Sequence, residues 1–208
     1  MTVFEQSWAR AWHGCGAQGD GAAVRDALLR RYAEPHRHYH TLQHLSECLA
    51  LFEPVSALPP HPAEVEIALW FHDAIYDVKR QDNEQLSGEW ARNALASAGV
   101  QPDSAQRVFD LVLATRHSAA PGVLDALVLV DVDLAILGTP PERFAQYEAQ
   151  IRAEYAHVPI WTFRWKRAEI LRSMLARPRI FNTPHFHGMF EKQARSNLLD
   201  SIAALHET

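Results

Sequence analysis

The chain has only two cysteines in 208 residues, Cys15 and Cys48. Two make no disulfide framework, and free thiols fit a reducing cytosol. Long apolar runs are missing as well. None exceeds five residues, and Ala126 to Val130, the one that resumes beyond its break, is interrupted by Asp131 and again by Asp133, too early to span a bilayer. The opening residues Met1-Thr2-Val3-Phe4-Glu5-Gln6 lack a basic patch followed by a hydrophobic stretch. No secretory signal is expected, and the expected location is cytoplasmic, with no membrane partner. Excess basic charge is absent too: the formal net charge is -5, which argues against general nucleic-acid binding through counterion release. Nothing repeats at a fixed period and no segment is low in complexity. No stretch of six or more residues alternates apolar and polar between turn signals, so strands are not expected.

What the chain does have is helical periodicity. With 48% hydrophobic residues it can fill one full core, and it is short for two independent domains, so one domain over 1–208 is expected. Apolar residues recur at three- and four-residue steps through Leu42-Leu45-Leu49-Phe52, Val65-Ala68-Leu69, Val108-Leu111-Val112 and Ile170-Leu171-Met174-Leu175. Thr139-Pro140-Pro141-Glu142 reads as an N-cap, a first-turn proline and a capping-box acid. The pattern predicts an all-α fold with helices near 3–13, 21–32, 40–53, 62–74, 82–98, 102–117, 122–137, 140–156, 161–176 and 190–205. The segment Phe181 to Gly188 is expected to be an ordered loop.

Histidine is the abundant residue: 12 in all, four of them within His36 to His44. Imidazole is the commonest metal ligand, so three stretches stand out. In Tyr39-His40-Thr41-Leu42-Gln43-His44, a helix would set His40 and His44 one turn apart on one face. In Leu69-Trp70-Phe71-His72-Asp73, a histidine and an aspartate end a very hydrophobic helix. Burying that carboxylate costs several kcal/mol unless it is paired or coordinates a cation. In Ala126 to Gly138, Asp131 and Asp133 interrupt an apolar helix; two residues apart, they point to roughly opposite sides. One can face a metal while the other makes a structural bond. Each stretch alone also fits a bland reading, as core histidines, a turn-capping acid or a buried ion pair.

The order His, His-Asp, Asp on a helical core resembles the HD superfamily of metal-dependent phosphohydrolases. The resemblance is closest to small bacterial members of that superfamily. It is carried by Arg31-Tyr32-x-Glu34-Pro35-x-Arg37-x-Tyr39-His40, Trp70-Phe71-His72-Asp73-x-x-Tyr76 and Asp131-x-Asp133-Leu134-x-Ile136-Leu137-Gly138. It implies an HD-type helical bundle with His44, His72, Asp73 and Asp133 on one divalent metal, Asp131 being the other choice for the last ligand. The Tyr39-His40-x-x-x-His44 run is similar to that of cyclic nucleotide phosphodiesterases, where the first histidine protonates the leaving group. That likeness implies His40 as general acid, although Thr41 stands where those enzymes usually carry asparagine. Asp73 would both bind metal and orient water. The implied activity is hydrolysis of phosphomonoester or phosphoanhydride bonds by metal-activated water, in a small phosphorylated substrate, nucleotides foremost. Mn, Fe, Co, Ni, Zn or Mg all suit two imidazoles and two carboxylates. Some relatives hold a second ion or run di-iron oxygenase chemistry, and a non-catalytic regulatory protein on the same fold is a third possibility.

Phosphate needs cationic recognition. Arg37 is the first candidate, against an ion pair with Glu34. His117, beside Arg116, is the second substrate-binding candidate, since some relatives use histidines on this helix for substrate or a second metal. Arg164, Lys166 and Arg167 read as a solvated helix face beside core tryptophans, Trp161 and Trp165. Asp77 and Glu84 are candidates for orienting a histidine ligand, with a turn-forming acid as the alternative for Asp77. Cys48 lies one turn after His44 and is expected to pack in the core. Self-association is open.

Overall fold

The computed structural model describes residues 2–117 and 122–206. Among them it has ten α-helices, two 3-10 turns and no strands, so the fold is all-α. Among the described residues no helix is long and apolar enough to cross a membrane. The chain packs as two compact units, 1–130 and 131–208.

The first unit is organised around α4 (Pro62–Phe71), which packs against α1 (Val3–Gly14), α3 (Leu42–Phe52), α5 (Asn83–Ser97) and α6 (Pro102–Ala114). Every residue of α4 from Glu64 to Phe71 is buried. A helix that is apolar all round belongs inside, and Val65, Ile67, Ala68, Leu69, Trp70 and Phe71 are each 0% exposed. Two glutamates are buried with them, and each is met by an arginine. Glu66 accepts from Ser7 Oγ at 2.7 Å and from Arg10 Nε at 2.9 Å. Glu64 accepts from Arg107 Nε at 2.7 Å and from Ser104 Oγ at 2.5 Å. These pairs tie α1 and α6 to opposite sides of the central helix, at sequence separations no local pattern reveals. Trp8 stacks on Trp12 at 5.0 Å and meets Trp70 edge-on at 5.1 Å, adding aromatic area to the same core. α1 starts on a capping box between Thr2 and Glu5. α2 (Ala22–Tyr32) packs on α3.

The boundary between the units falls within α7 (Leu124–Leu134). The second unit continues from it through a 3-10 turn (Ala135–Gly138), α8 (Pro141–Glu154), α9 (Ile160–Leu175) and α10 (Pro184–His206). The 3-10 turn lies against α10. A Cβ at Gly138 would fall 2.5 Å from Phe190 Cβ and 2.7 Å from its backbone oxygen, so only glycine permits this approach. Asn197 locks the same turn, donating from Nδ2 to the carbonyls of Leu137 (2.8 Å) and Thr139 (2.9 Å).

Several helix ends depart from the sequence-based map. The last helix starts at Pro184 instead of near 190. Proline suits the first turn, and the Thr183 hydroxyl accepts from the Phe186 amide at 3.4 Å, so Gly188 is carried inside the helix. Glu191 holds the approach to this helix by accepting from the amides of Ile180 and Phe181, both at 3.0 Å. The α9 reading is reversed in part. Trp161 and Trp165 are 73% and 60% exposed, whereas Arg167 is buried against Glu148 and lies over the Tyr147 ring.

Candidate metal centre

α3 begins one residue after an extended Thr41, whose hydroxyl accepts from the Gln43 amide at 3.3 Å. Threonine is a good N-cap, and its extended backbone ends the helix there. His40 therefore lies before the helix, correcting the expectation that it shares a helical face with His44. His44, in the first turn, is 2% exposed. His72 caps the C-terminus of α4 and is 1% exposed, and Asp73 follows it in the turn.

These elements bring three atoms together. His44 Nε2 is 3.0 Å from His72 Nε2, His72 Nε2 is 2.9 Å from Asp73 Oδ2, and His44 Nε2 is 3.5 Å from the same oxygen. Ligands held about 2.0–2.1 Å from one ion lie roughly 3.0 Å apart at a right angle and roughly 3.4 Å apart at a tetrahedral angle. The observed triangle has those edges. The His72 tautomer points the same way. Its Nδ1 is 2.7 Å from the Leu69 carbonyl, which only accepts, so Nδ1 carries the proton. In neutral His72 the Nε2 lone pair then faces a carboxylate oxygen, an arrangement that needs a positive charge. Either a second proton makes the ring an imidazolium or a cation lies between the donors. Burial pushes the Asp73 carboxyl up, but the positive charges of His72, His40 and His44 and a hydrogen bond from His72 hold it well below the usual carboxylate range.

Cys48 belongs to this cluster. Its Sγ is 3.6 Å from His44 Nδ1 and 3.7 Å from Nε2, and His44, Cys48 and His72 offer ligand atoms within 4.8 Å of one another. This buried group could hold a metal ion. The four-residue spacing from His44 was visible in the sequence, but it fits core packing equally well.

His40 is half-buried, stacked on Tyr76 with ring centroids 4.0 Å apart and 6.0 Å from the His44 ring. Arg37 holds it there, but not as the expected phosphate ligand. The Arg37 side chain is 0% exposed. It donates to Glu34 Oε2 (3.2 Å) and to the carbonyls of His40 (3.3 Å), Asp73 (2.6 Å) and Ala74 (3.1 Å). Its guanidinium also lies over the rings of Tyr32 and Tyr76. The arginine is spent clamping the His40 loop to the Asp73 turn, so its phosphate-binding reading gives way to a structural one.

Other candidates lie elsewhere. His117 follows the end of α6 with φ at 53°, the one positive φ among the described non-glycine residues; residues 118–121 lie outside the described range. Asp77 forms a turn, accepting from the Lys79 amide at 2.9 Å, and Glu84 faces Arg116 at 3.7 Å. His187 pairs with Glu191 at 3.3 Å.

In the second unit the two aspartates of α7 have different environments. Asp131 is 0% exposed, and its two oxygens accept from the amides of Asn182 (2.8 Å) and Thr183 (2.7 Å). Burial pushes its carboxyl up, against the pull of those amides. Asp133, on the last turn, is half-buried.

No family model, curated protein or solved structure matches this chain.

Proposed function

We propose that the chain is a metal-dependent hydrolase of phosphomonoester or phosphoanhydride bonds, with nucleotides the foremost substrate class. The observation that carries this reading is the triangle of His44 Nε2, His72 Nε2 and Asp73 Oδ2, with the His72 tautomer fixed by Leu69. The resemblance to HD phosphohydrolases supplies the reaction class.

In this proposal His44, His72, Asp73 and Asp133 are the ligands. Asp133 is preferred because Asp131 is already committed to the amides before α10. A divalent ion supplies a Lewis acid for a phosphoryl oxygen and lowers the pKa of water from about 15.7 toward ~7–9. Asp73 orients the attacking water. His40, outside the triangle but held near it by Arg37 and Tyr76, gives its proton to the departing oxygen. His117 is kept as a substrate contact and Arg37 is not.

The test is an assay of nucleotides and an aryl phosphate with Mn²⁺, Co²⁺, Ni²⁺ or Mg²⁺, with metal content measured in parallel. Turnover that vanishes together with bound metal in Asp73→Ala supports the proposal. Stoichiometric metal with no turnover of any substrate refutes the phosphohydrolase reading. Two irons per chain with a visible absorption band would favour oxygenation instead.

A further inference from the structure

The second unit carries a cleft of about 450 Å³ between α8, α9 and α10. Phe144, Ala145 and Phe163 contribute apolar walls. Two of its charged residues are occupied within the unit. Glu148 binds Arg167 and accepts from Ser201 Oγ, and Arg152 donates to the carbonyls of Tyr155 and Val158. The other two, Arg164 on α9 and Asp200 on α10, line the same cleft without an ion pair to any described residue. Beside the cleft the apolar surface continues outward. Ile160 is 46% exposed, Trp161 73% and Trp165 60%. At about 150–250 Å² per large aromatic, the two indoles alone leave roughly 300 Å² bare, which is patch-sized for a monomer.

We propose that this face is the contact between two copies of the chain, related by a two-fold axis. In a two-fold contact a surface must complement itself. This face has both halves of that requirement. It offers a protruding indole, Trp161, beside a cleft large enough to take one, and an unpaired cation and anion that can meet their counterparts twice. A small zwitterion could satisfy Arg164 and Asp200, but it would leave Trp161 and Trp165 in water. A nucleic acid or anionic membrane could answer Arg164 but would meet Asp200 in the same cleft, whereas a second copy answers both signs. Tryptophan and arginine are also the side chains most often found to anchor interfaces.

Sedimentation velocity over a range of concentrations tests this on the full chain, with circular dichroism to confirm that each variant is folded. The wild-type chain is expected to dimerise. Arg164→Asp and Asp200→Arg alone each weaken the dimer at least about tenfold, as does Trp161→Ala. The double variant Arg164→Asp with Asp200→Arg restores it, because the pair is exchanged on both sides of the axis. A wild-type monomer at all concentrations overturns the proposal. So does a dimer untouched by the single charge reversals, or a double variant no stronger than the singles. Binding of the wild-type chain to an oligonucleotide or to anionic vesicles that dissociates the dimer and is lost in Trp161→Ala would overturn the proposal and assign the face to that partner instead. None of these outcomes depends on catalysis by the first unit.

Discussion

Arg37 meets Asp73 through the backbone carbonyl, at 2.6 Å, and not through the carboxylate. The cation thus fixes where the acid stands and leaves its oxygens turned toward the histidines. Arg37→Lys keeps the charge but cannot reach three carbonyls from one planar fork. It should lower stability by about 2–3 kcal/mol, measured by urea unfolding, since buried carbonyls lose their donors.

Asp131 and Asp133 should separate cleanly. Asp131→Ala leaves the buried Asn182 and Thr183 amides without their acceptor and should cost about 3 kcal/mol with little change in metal content. Asp133→Ala should remove metal while lowering stability less. Thermal melts and metal analysis of both variants decide this. The reverse pattern would move the last ligand to Asp131.

His40→Ala should bind metal as the wild-type chain does and lose about 10²–10⁴ in kcat on poor leaving groups. Aryl phosphates, whose leaving groups need little protonation, should suffer less. An equal loss on both substrates would assign His40 to positioning alone.

Glu191 gives a pH prediction. Burial raises its carboxyl, but the amides of Phe181 and Ile180 and the Arg195 guanidinium bring it below its ordinary value. A depressed carboxyl stabilises the fold above the unfolded value of about 4.3 and loses that contribution as pH falls through the folded value. Glu191→Gln should therefore melt below wild type at pH 7, and the gap should narrow as pH falls below the unfolded value. A gap constant across that range would show that the charge plays no part.

The sequence made some of this legible and hid the rest for physical reasons. His72-Asp73 stood out because an acid beside a fully apolar helix needs a partner, and the two are neighbours in the chain. The resemblance favours Asp133 over Asp131, but the structural bonds of Asp131 are to the Asn182 and Thr183 amides, some fifty residues away in the chain, which no local pattern reveals. Periodicity extends the helix back over Thr41 because it says nothing of where a hydroxyl turns back on the backbone. The matching of Glu64 with Arg107 and Glu66 with Arg10 was invisible, since a charge on a helix names no distant partner. The exposure of Trp161 and Trp165 is equally hidden, because composition alone places aromatics in a core.

His72 stands at the end of α4, which is enclosed on every side from Glu64 to Phe71. Backbone protons there exchange with solvent only when the surrounding helices open together, so they should be among the slowest in the first unit. A side chain anchored to that segment cannot drift by local fraying. Departure of His72 from its neighbours would report cooperative opening of the whole unit, and deuterium uptake at α4 would time it.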